Sequence, residues 1–223
     1  MTGITRRVLV SLVFCGFAVP GAAGAQDAIR PDLTGVARGA GWTVVNRGAS
    51  VGREGGRVVA TLDGRSGDGV AWLDGVDFHD GTIELLIRGA NDPARSFVGL
   101  AFRGLNDSTY DAVYFRPFNF VADNDLSRGH MVQYISHPVY TWSKLRAEHT
   151  GQYENTLAAP PDPDAFFRAR IVIEKPTVRV YVGEDTEPSL IVDELSNRAG
   201  GRVGLWVGNG SGGSFADLVL RPK

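Results

Sequence analysis

Hydrophobic and polar positions in this chain either alternate with period two or gather in short continuous apolar runs, and turn residues separate the runs at close spacing. Stretches rich in β-branched and aromatic residues fall at 42–45, 57–62, 70–73, 82–87, 97–102 and 109–115. Further ones follow at 131–135, 166–173, 177–182, 190–192, 203–207 and 215–220. Between them stand Asp63-Gly64, Asp74-Gly75, Asp80-Gly81, Asn91-Asp92-Pro93 and Gly212-Gly213, residue pairs and triplets that favour tight turns. The 3.6-residue period of an amphipathic helix is missing except over a short turn at 142–148. The pattern predicts about a dozen strands and an all-β fold. Two antiparallel sheets packed face to face, as a β-sandwich or jelly roll, are its natural closure.

The first residues break this pattern. Arg6 and Arg7 precede an apolar run at 8–20 and the small-residue triplet Ala23-Gly24-Ala25, the order of a cleavable secretory signal peptide spanning 1–25. That run is too short to span a bilayer, and no later segment approaches the roughly 20 apolar residues a membrane helix needs. The expectation is an exported protein, periplasmic or extracellular, with no integral membrane segment, an N-terminal linker at 26–41 and one domain at 42–223. Cys15, the single cysteine, lies in the leader, so the mature chain is expected to hold no disulfide and no cysteine-ligated metal. The chain has 23 Lys and Arg, two of them in the leader, against 25 Asp and Glu. This mildly acidic balance lacks the basic patch of a nucleic-acid binder.

Two runs carry a family likeness: Ser96-Phe97-Val98-Gly99-Leu100-Ala101-Phe102, and Tyr110-Asp111-Ala112-Val113-Tyr114-Phe115-Arg116-Pro117-Phe118-Asn119-Phe120. With Gln133-Tyr134, the closing run Val203 to Ser211 and Phe215-Ala216-Asp217-Leu218, they resemble the concanavalin A-like lectin/glucanase superfamily. In particular they resemble the bacterial exported proteins grouped with the 3-keto-disaccharide hydrolase domain. The resemblance covers residues 42–220. It implies a jelly-roll sandwich with one concave sheet whose exposed face and covering loops take up sugars, and its name implies action on 3-keto-glycosides. One fold hosts lectins, hydrolases and lyases alike, so the function has to be argued from the site.

Strand alternation over 109–118 puts Tyr110, Ala112, Tyr114 and Arg116 on one face and Asp111, Val113 and Phe115 on the other. A phenol offers both an apolar face and a hydroxyl, and a guanidinium donates forked hydrogen bonds to hydroxyls or carboxylates. Tyr114 and Arg116 are therefore candidate ligand contacts, and Arg103, two positions beyond Ala101, is expected beside them. Otherwise the two arginines are strand-end charges with cross-strand partners. The connection at 130–155 adds Tyr134, Tyr140, Trp142 and Tyr153 as flat surfaces for pyranose rings, and Gln133, Glu154 and Asn155 as hydrogen-bonding groups. The same aromatics would also suit folding the loop onto the sandwich. Trp72 and Trp206, inside apolar runs, are expected in the core.

Metal and catalytic patterns are sparse. His130 and His137 are seven apart and would face opposite sides of a regular strand, and no His-Glu-x-x-His pair occurs. Asp123-Asn124-Asp125 lacks the glycine and terminal glutamate of an EF-hand and reads as a hydrated turn. No metal and no cofactor are expected. The chain also lacks Glu-x-Asp-x-x-Glu, the spacing by which retaining glucanases of glycoside hydrolase family 16 place their acids on one strand face. Two readings remain. One is an exported carbohydrate-binding protein recognising a glycan on its concave face. The other is a hydrolase or lyase of 3-keto-glycosides, with His137 or Glu154 as base and Arg116 stabilising developing negative charge. Binding is favoured, because the matching motifs are structural and aromatic.

Overall fold

The computed structural model describes residues 27–223; the leader expected at 1–25 lies outside the described residues. Fourteen strands among them form two seven-stranded sheets, antiparallel throughout. The front sheet runs β1 (Trp42–Val45), β4 (Gly69–Leu73), β13 (Arg202–Val207), β6 (Val98–Asn106), β7 (Thr109–Phe115), β8 (Val132–Ser136) and β9 (Glu154–Asn155). The back sheet runs β12 (Leu190–Asp193), β11 (Thr177–Val182), β10 (Phe167–Glu174), β5 (Gly81–Arg88), β14 (Gly213–Pro222), β3 (Arg57–Leu62) and β2 (Ala49–Glu54). This is the expected all-β, two-sheet sandwich. No helix among the described residues is long and apolar enough to cross a membrane.

Two strands were not foreshadowed by the hydrophobic pattern. β2 is mostly exposed and polar, and it exists through its pairing with β3 along the sheet edge. β9 is two residues long and pairs Asn155 with Val132 and Glu154 with Gln133.

The back sheet shows the alternation of a half-buried sheet. In β5 and β10 every second side chain is buried, and the rest face solvent or are only partly covered. The front sheet differs: β4 and β8 are buried at every position, and β7 at all but its first. Its inner side chains, Leu100, Val113, Phe115, Val132 and Leu205, meet Leu85, Ile87, Phe167 and Ile171 of the back sheet in the main core. The Phe115 and Phe167 rings lie edge to face at 5.0 Å. Its outer side chains Val70, Trp72, Ala101, Tyr110, Ala112, Tyr114, Ile135 and Trp206 form a second apolar layer, joined by Leu145 from the covering loop.

The stretch expected as an N-terminal linker is instead part of the sandwich. Ile29 exchanges backbone hydrogen bonds with Leu220, and a 3-10 helix at Leu33–Arg38 buries Leu33 and Val36 in the main core. Asp32 caps that helix through Thr34 N, and its carbonyl accepts from Trp42 Nε1 at 3.1 Å. Two apolar side chains three apart are enough to dock so short a helix, too few to register as a helical period.

Arg103 also departs from expectation. The ladders of β6 with β13 and with β7 both slip register beside it, and its φ is +52°. Such a bulge re-aims a side chain. Arg103 turns away from the sheet face and is fully buried at the sheet end, where it donates to Glu194 Oε1 at 2.8 Å, Glu194 Oε2 at 3.1 Å and Asp80 Oδ1 at 2.9 Å. The carbonyls of His79 and Ala199 accept its remaining hydrogens. Burial alone would lower its pKa, but hydrogen bonds to the two carboxylates outweigh that and hold it above the ordinary value. Arg103→Ala would leave Glu194 buried with only Lys175, 3.6 Å away, as counter-charge. The expected loss is about 3 kcal/mol of stability, read as a lowered urea midpoint; a change under about 0.5 kcal/mol would show that the pair contributes nothing net.

Candidate functional site

The outer layer of the front sheet does not fill the space above it. Between that layer, the segment 117–130 and the loop 137–153 lies a cleft of about 800 Å³. Its floor is built in register. On neighbouring strands Trp206, Gly99 and Tyr114 stand side by side, and a Cβ at position 99 would meet the Val113 carbonyl oxygen at 2.1 Å. Glycine there lets the Tyr114 and Trp206 rings approach to 5.0 Å across it. Phe97 stands edge-on to Tyr114 at 6.1 Å and to Phe118 at 5.6 Å, extending the aromatic lining.

The walls come from two short helices. In α1 (Asp125–Arg128) Asn124 caps the first turn by accepting from Ser127 N at 2.9 Å, and Leu126 and Ser127 face the cleft. Asn124 is thus the capping residue of the oxygen-rich turn noted in the sequence. In α2 (Trp142–Glu148) Thr141 is the cap, and Trp142 and Arg146, one helical turn apart, both line the cleft with the guanidinium 5.4 Å from the indole. Buried Leu145 fixes this helix on the outer apolar layer. Among the described residues, no cluster of three or more His, Cys, Asp or Glu side chains stands placed to hold a metal ion.

One end of the cleft is cationic. Arg116 is buried; its Nη2 donates to the Tyr114 hydroxyl at 2.6 Å and to Gln133 Oε1, and its Nη1 to the His130 carbonyl at 2.9 Å. Tyr114 donates to the same Gln133 oxygen at 2.6 Å. Arg146 grips Glu154 with Nε at 3.2 Å and Nη2 at 2.8 Å, while Arg116 Nη1 stands 3.8 Å from that carboxylate. His130 Nδ1 lies 2.8 Å from Glu154 Oε2, in a direction poorly aligned for a hydrogen bond. Burial pushes the Tyr114 phenol up to about 12 and lowers the pKa of Arg116 and His130.

At the other end His137 stacks on Tyr110 with ring centroids 5.1 Å apart and planes inclined by 6°. Its Nε2 is 4.0 Å from Asp68 Oδ2, which accepts from the Tyr110 hydroxyl at 3.2 Å. Burial holds this imidazole below its ordinary pKa. Trp206 Nε1 donates to the same hydroxyl at 3.1 Å.

The sequence-derived candidates divide sharply. Tyr114, Arg116, His137 and Trp142 line the cleft. Gln133 is on the same face but fully covered, serving as acceptor for Tyr114 and Arg116. Tyr134 is not a cleft residue: opposite Val113 in the β7–β8 ladder it points into the main core, next to Phe102, with its hydroxyl accepting from Leu195 N at 3.0 Å. Alternation alone decides this, because neighbours in a strand cannot share a face. Tyr140 and Tyr153 are half-buried loop anchors. Tyr140 exchanges backbone hydrogen bonds with Ser136, and Tyr153 packs on Tyr134 at 5.9 Å and His149 at 5.8 Å. Asn155 ties the sheet edge to Ser189 at 2.8 Å, and Glu154 is enclosed by the cationic cluster. Trp72 is buried as expected, though in the outer layer; Trp206 is floor of the cleft. Asp68, Phe97, Phe118, Arg146 and Asn209 were not anticipated. For Arg146 a signal existed, its i,i+4 relation to Trp142; Asp68 comes from a turn with none.

The sequence matches no family model and no curated protein. Its shape does have counterparts among solved structures. Carbohydrate-binding module CBM66 from Bacillus subtilis superposes with a TM-score of 0.56 at 18% identity, over 80% of this chain and 93% of that one. A Bacillus subtilis protein of unknown function with a galectin-like fold gives 0.56 at 13%, over 89% and 97%. The Bacillus licheniformis β-glucanase gives 0.50 at 11%, over 82% and 92%. The chain therefore has the jelly-roll fold of lectins and glucanases.

Both cleft histidines titrate below 6.5, so the folded state resists taking up their protons. Their contribution to stability is complete above that value and is lost as pH falls through the lowered folded-state values. Melting temperature should drop between about pH 7 and about pH 5, and His130→Gln with His137→Gln together should flatten the drop. An identical pH profile in the double variant would assign the drop to other groups.

Proposed function

We propose that the protein is an exported carbohydrate-binding module that holds a glycan in the cleft over the front sheet. The cleft itself carries this reading. Phe97, Tyr114, Trp142 and Trp206 provide apolar ring faces, and Arg116, Arg146, Asp68, His137 and Asn209 stand among them as hydrogen-bonding groups. Sugars present that same combination, apolar C–H faces rimmed by hydroxyls. The likeness to a module named for carbohydrate binding supports the reading, as does the resemblance of the 96–102 and 110–120 runs to the lectin/glucanase superfamily, whose concave sheet takes up sugars. Export is supported by the order of charged, apolar and small residues in the leader.

The pairing of His137 with Asp68 favours one second reading, proton abstraction from a 3-keto-glycoside, although Arg116, expected to steady the resulting negative charge, stands at the opposite end of the cleft. Glu154 is the poorer base, since Arg146 occupies both of its oxygens.

Trp142 is 51% exposed, so its removal opens no cavity. Trp142→Ala should weaken the binding of whichever oligosaccharide a glycan array selects by about 1 to 3 kcal/mol, with the melting temperature nearly unchanged. Unchanged affinity would remove the indole from the site. Incubation with a panel of 3-keto-glycosides should yield no product; turnover that disappears in His137→Ala would replace the binding reading with the catalytic one.

A further inference from the structure

We propose that the glycan is anionic, and that Arg116 and Arg146 seat its carboxylate or sulfate at the cationic end of the cleft. This rests on the carbohydrate reading above and narrows it. Both guanidiniums meet the same carboxylate oxygen, Glu154 Oε2, at 3.8 Å and 2.8 Å. Two fixed positive charges thus face one negative charge that is buried. His130, the third group there, has its pKa lowered by burial and by its arginine neighbours, against the pull of Glu154, and stays uncharged at neutral pH. Asp68, the one acidic side chain lining the cleft, is close enough to Arg47 for their charges to couple and hydrogen-bonds Tyr110, so its charge is met elsewhere. Among the described residues, the two guanidiniums at the α2 end therefore share a single carboxylate.

The hydrogen bonds carry the same message. Arg146 uses Nε and Nη2 on Glu154, and its Nη1 donates to no described protein atom, although the side chain is 33% exposed and lines the cleft. Arg116 is fixed by Tyr114, Gln133 and the His130 carbonyl, and it lies 4.9 Å from the Tyr114 ring. A cation held so rigidly loses little freedom when an anion arrives. The edge of Arg146 turned away from Glu154, Nη1 with the second Nη2 hydrogen, suits a carboxylate or sulfate, which can accept through two oxygens, and a low-dielectric aromatic floor strengthens the attraction.

Isothermal titration with three oligosaccharides of equal length tests this: an oligogalacturonate, its carboxyl-reduced neutral counterpart, and a sulfated galactan. One or both charged ligands should bind about tenfold or more tightly than the neutral one. The preference should shrink as salt rises from about 0.05 M to about 0.5 M. Arg146→Gln should reduce the charged-to-neutral ratio about tenfold, Arg146→Lys should retain part of it, and Arg57→Gln, which removes the same charge from the back sheet, should leave it unchanged. The uronate and sulfate arms identify the source of the anion. Equal binding of charged and neutral ligands, or a ratio that Arg57→Gln lowers as much as Arg146→Gln, overturns the proposal while leaving carbohydrate binding standing. Failure of all three ligands, together with an empty glycan array, overturns the carbohydrate reading as well.

Discussion

A β-strand has two faces, and in the front sheet of this protein both are covered. Inner residues of β7 such as Val113 and Phe115 need the back sheet; outer residues such as Tyr110, Ala112 and Tyr114 need a second cover. The chain supplies that cover from its own loops, through Leu145 of α2 and the rings of Tyr140 and Tyr153. Where the cover is complete there is a second core, and where it parts there is a cleft. The site is therefore a gap in a required layer of packing, which explains why its floor is aromatic and rigid.

Two buried arginines show how the same residue type is put to opposite ends. Arg103 has every hydrogen-bonding nitrogen occupied, by Glu194, Asp80 and two carbonyls, and it closes off one end of the sheet. Arg116 is just as firmly held, but its partners are mostly neutral and its carboxylate is shared with Arg146. The first cluster is saturated in charge and in hydrogen bonds. The second is saturated in geometry alone, a combination typical of places prepared to meet something from outside.

What could be read in advance follows from the range of the forces involved. Apolar patterning is a local property, so β1, β3, β7 and β11 fall where the apolar runs put them, as does α2, whose Thr141 cap and Leu145 anchor lie within a few residues of each other. The same alternation separated Tyr114 and Arg116 from Phe115, though it was not carried to Tyr134, whose neighbour Gln133 takes the outer face. The bulge at Arg103 arises from the pairing of three strands. No sequence window contains that information. Nor does any window bring Asp68 to His137, or Arg146 to Arg116, because those meetings depend on sheet order.

The loop 137–153 leaves and rejoins the front sheet at one place. It departs after β8, where Ser136 and Tyr140 exchange hydrogen bonds, and returns at Glu154, paired with Gln133 on the strand it left. The strands on either side are held by the ladder of β8 with β7 and by the tie from Asn155 to Ser189, none of which involves the side chains the loop presents. Such a segment is a cassette. Provided Leu145 and the Tyr140 and Tyr153 rings keep the sheet covered, its exposed positions can be rewritten at little cost to the sandwich, so descendants of this chain can acquire new ligands by altering one insert while the aromatic floor stays as it is.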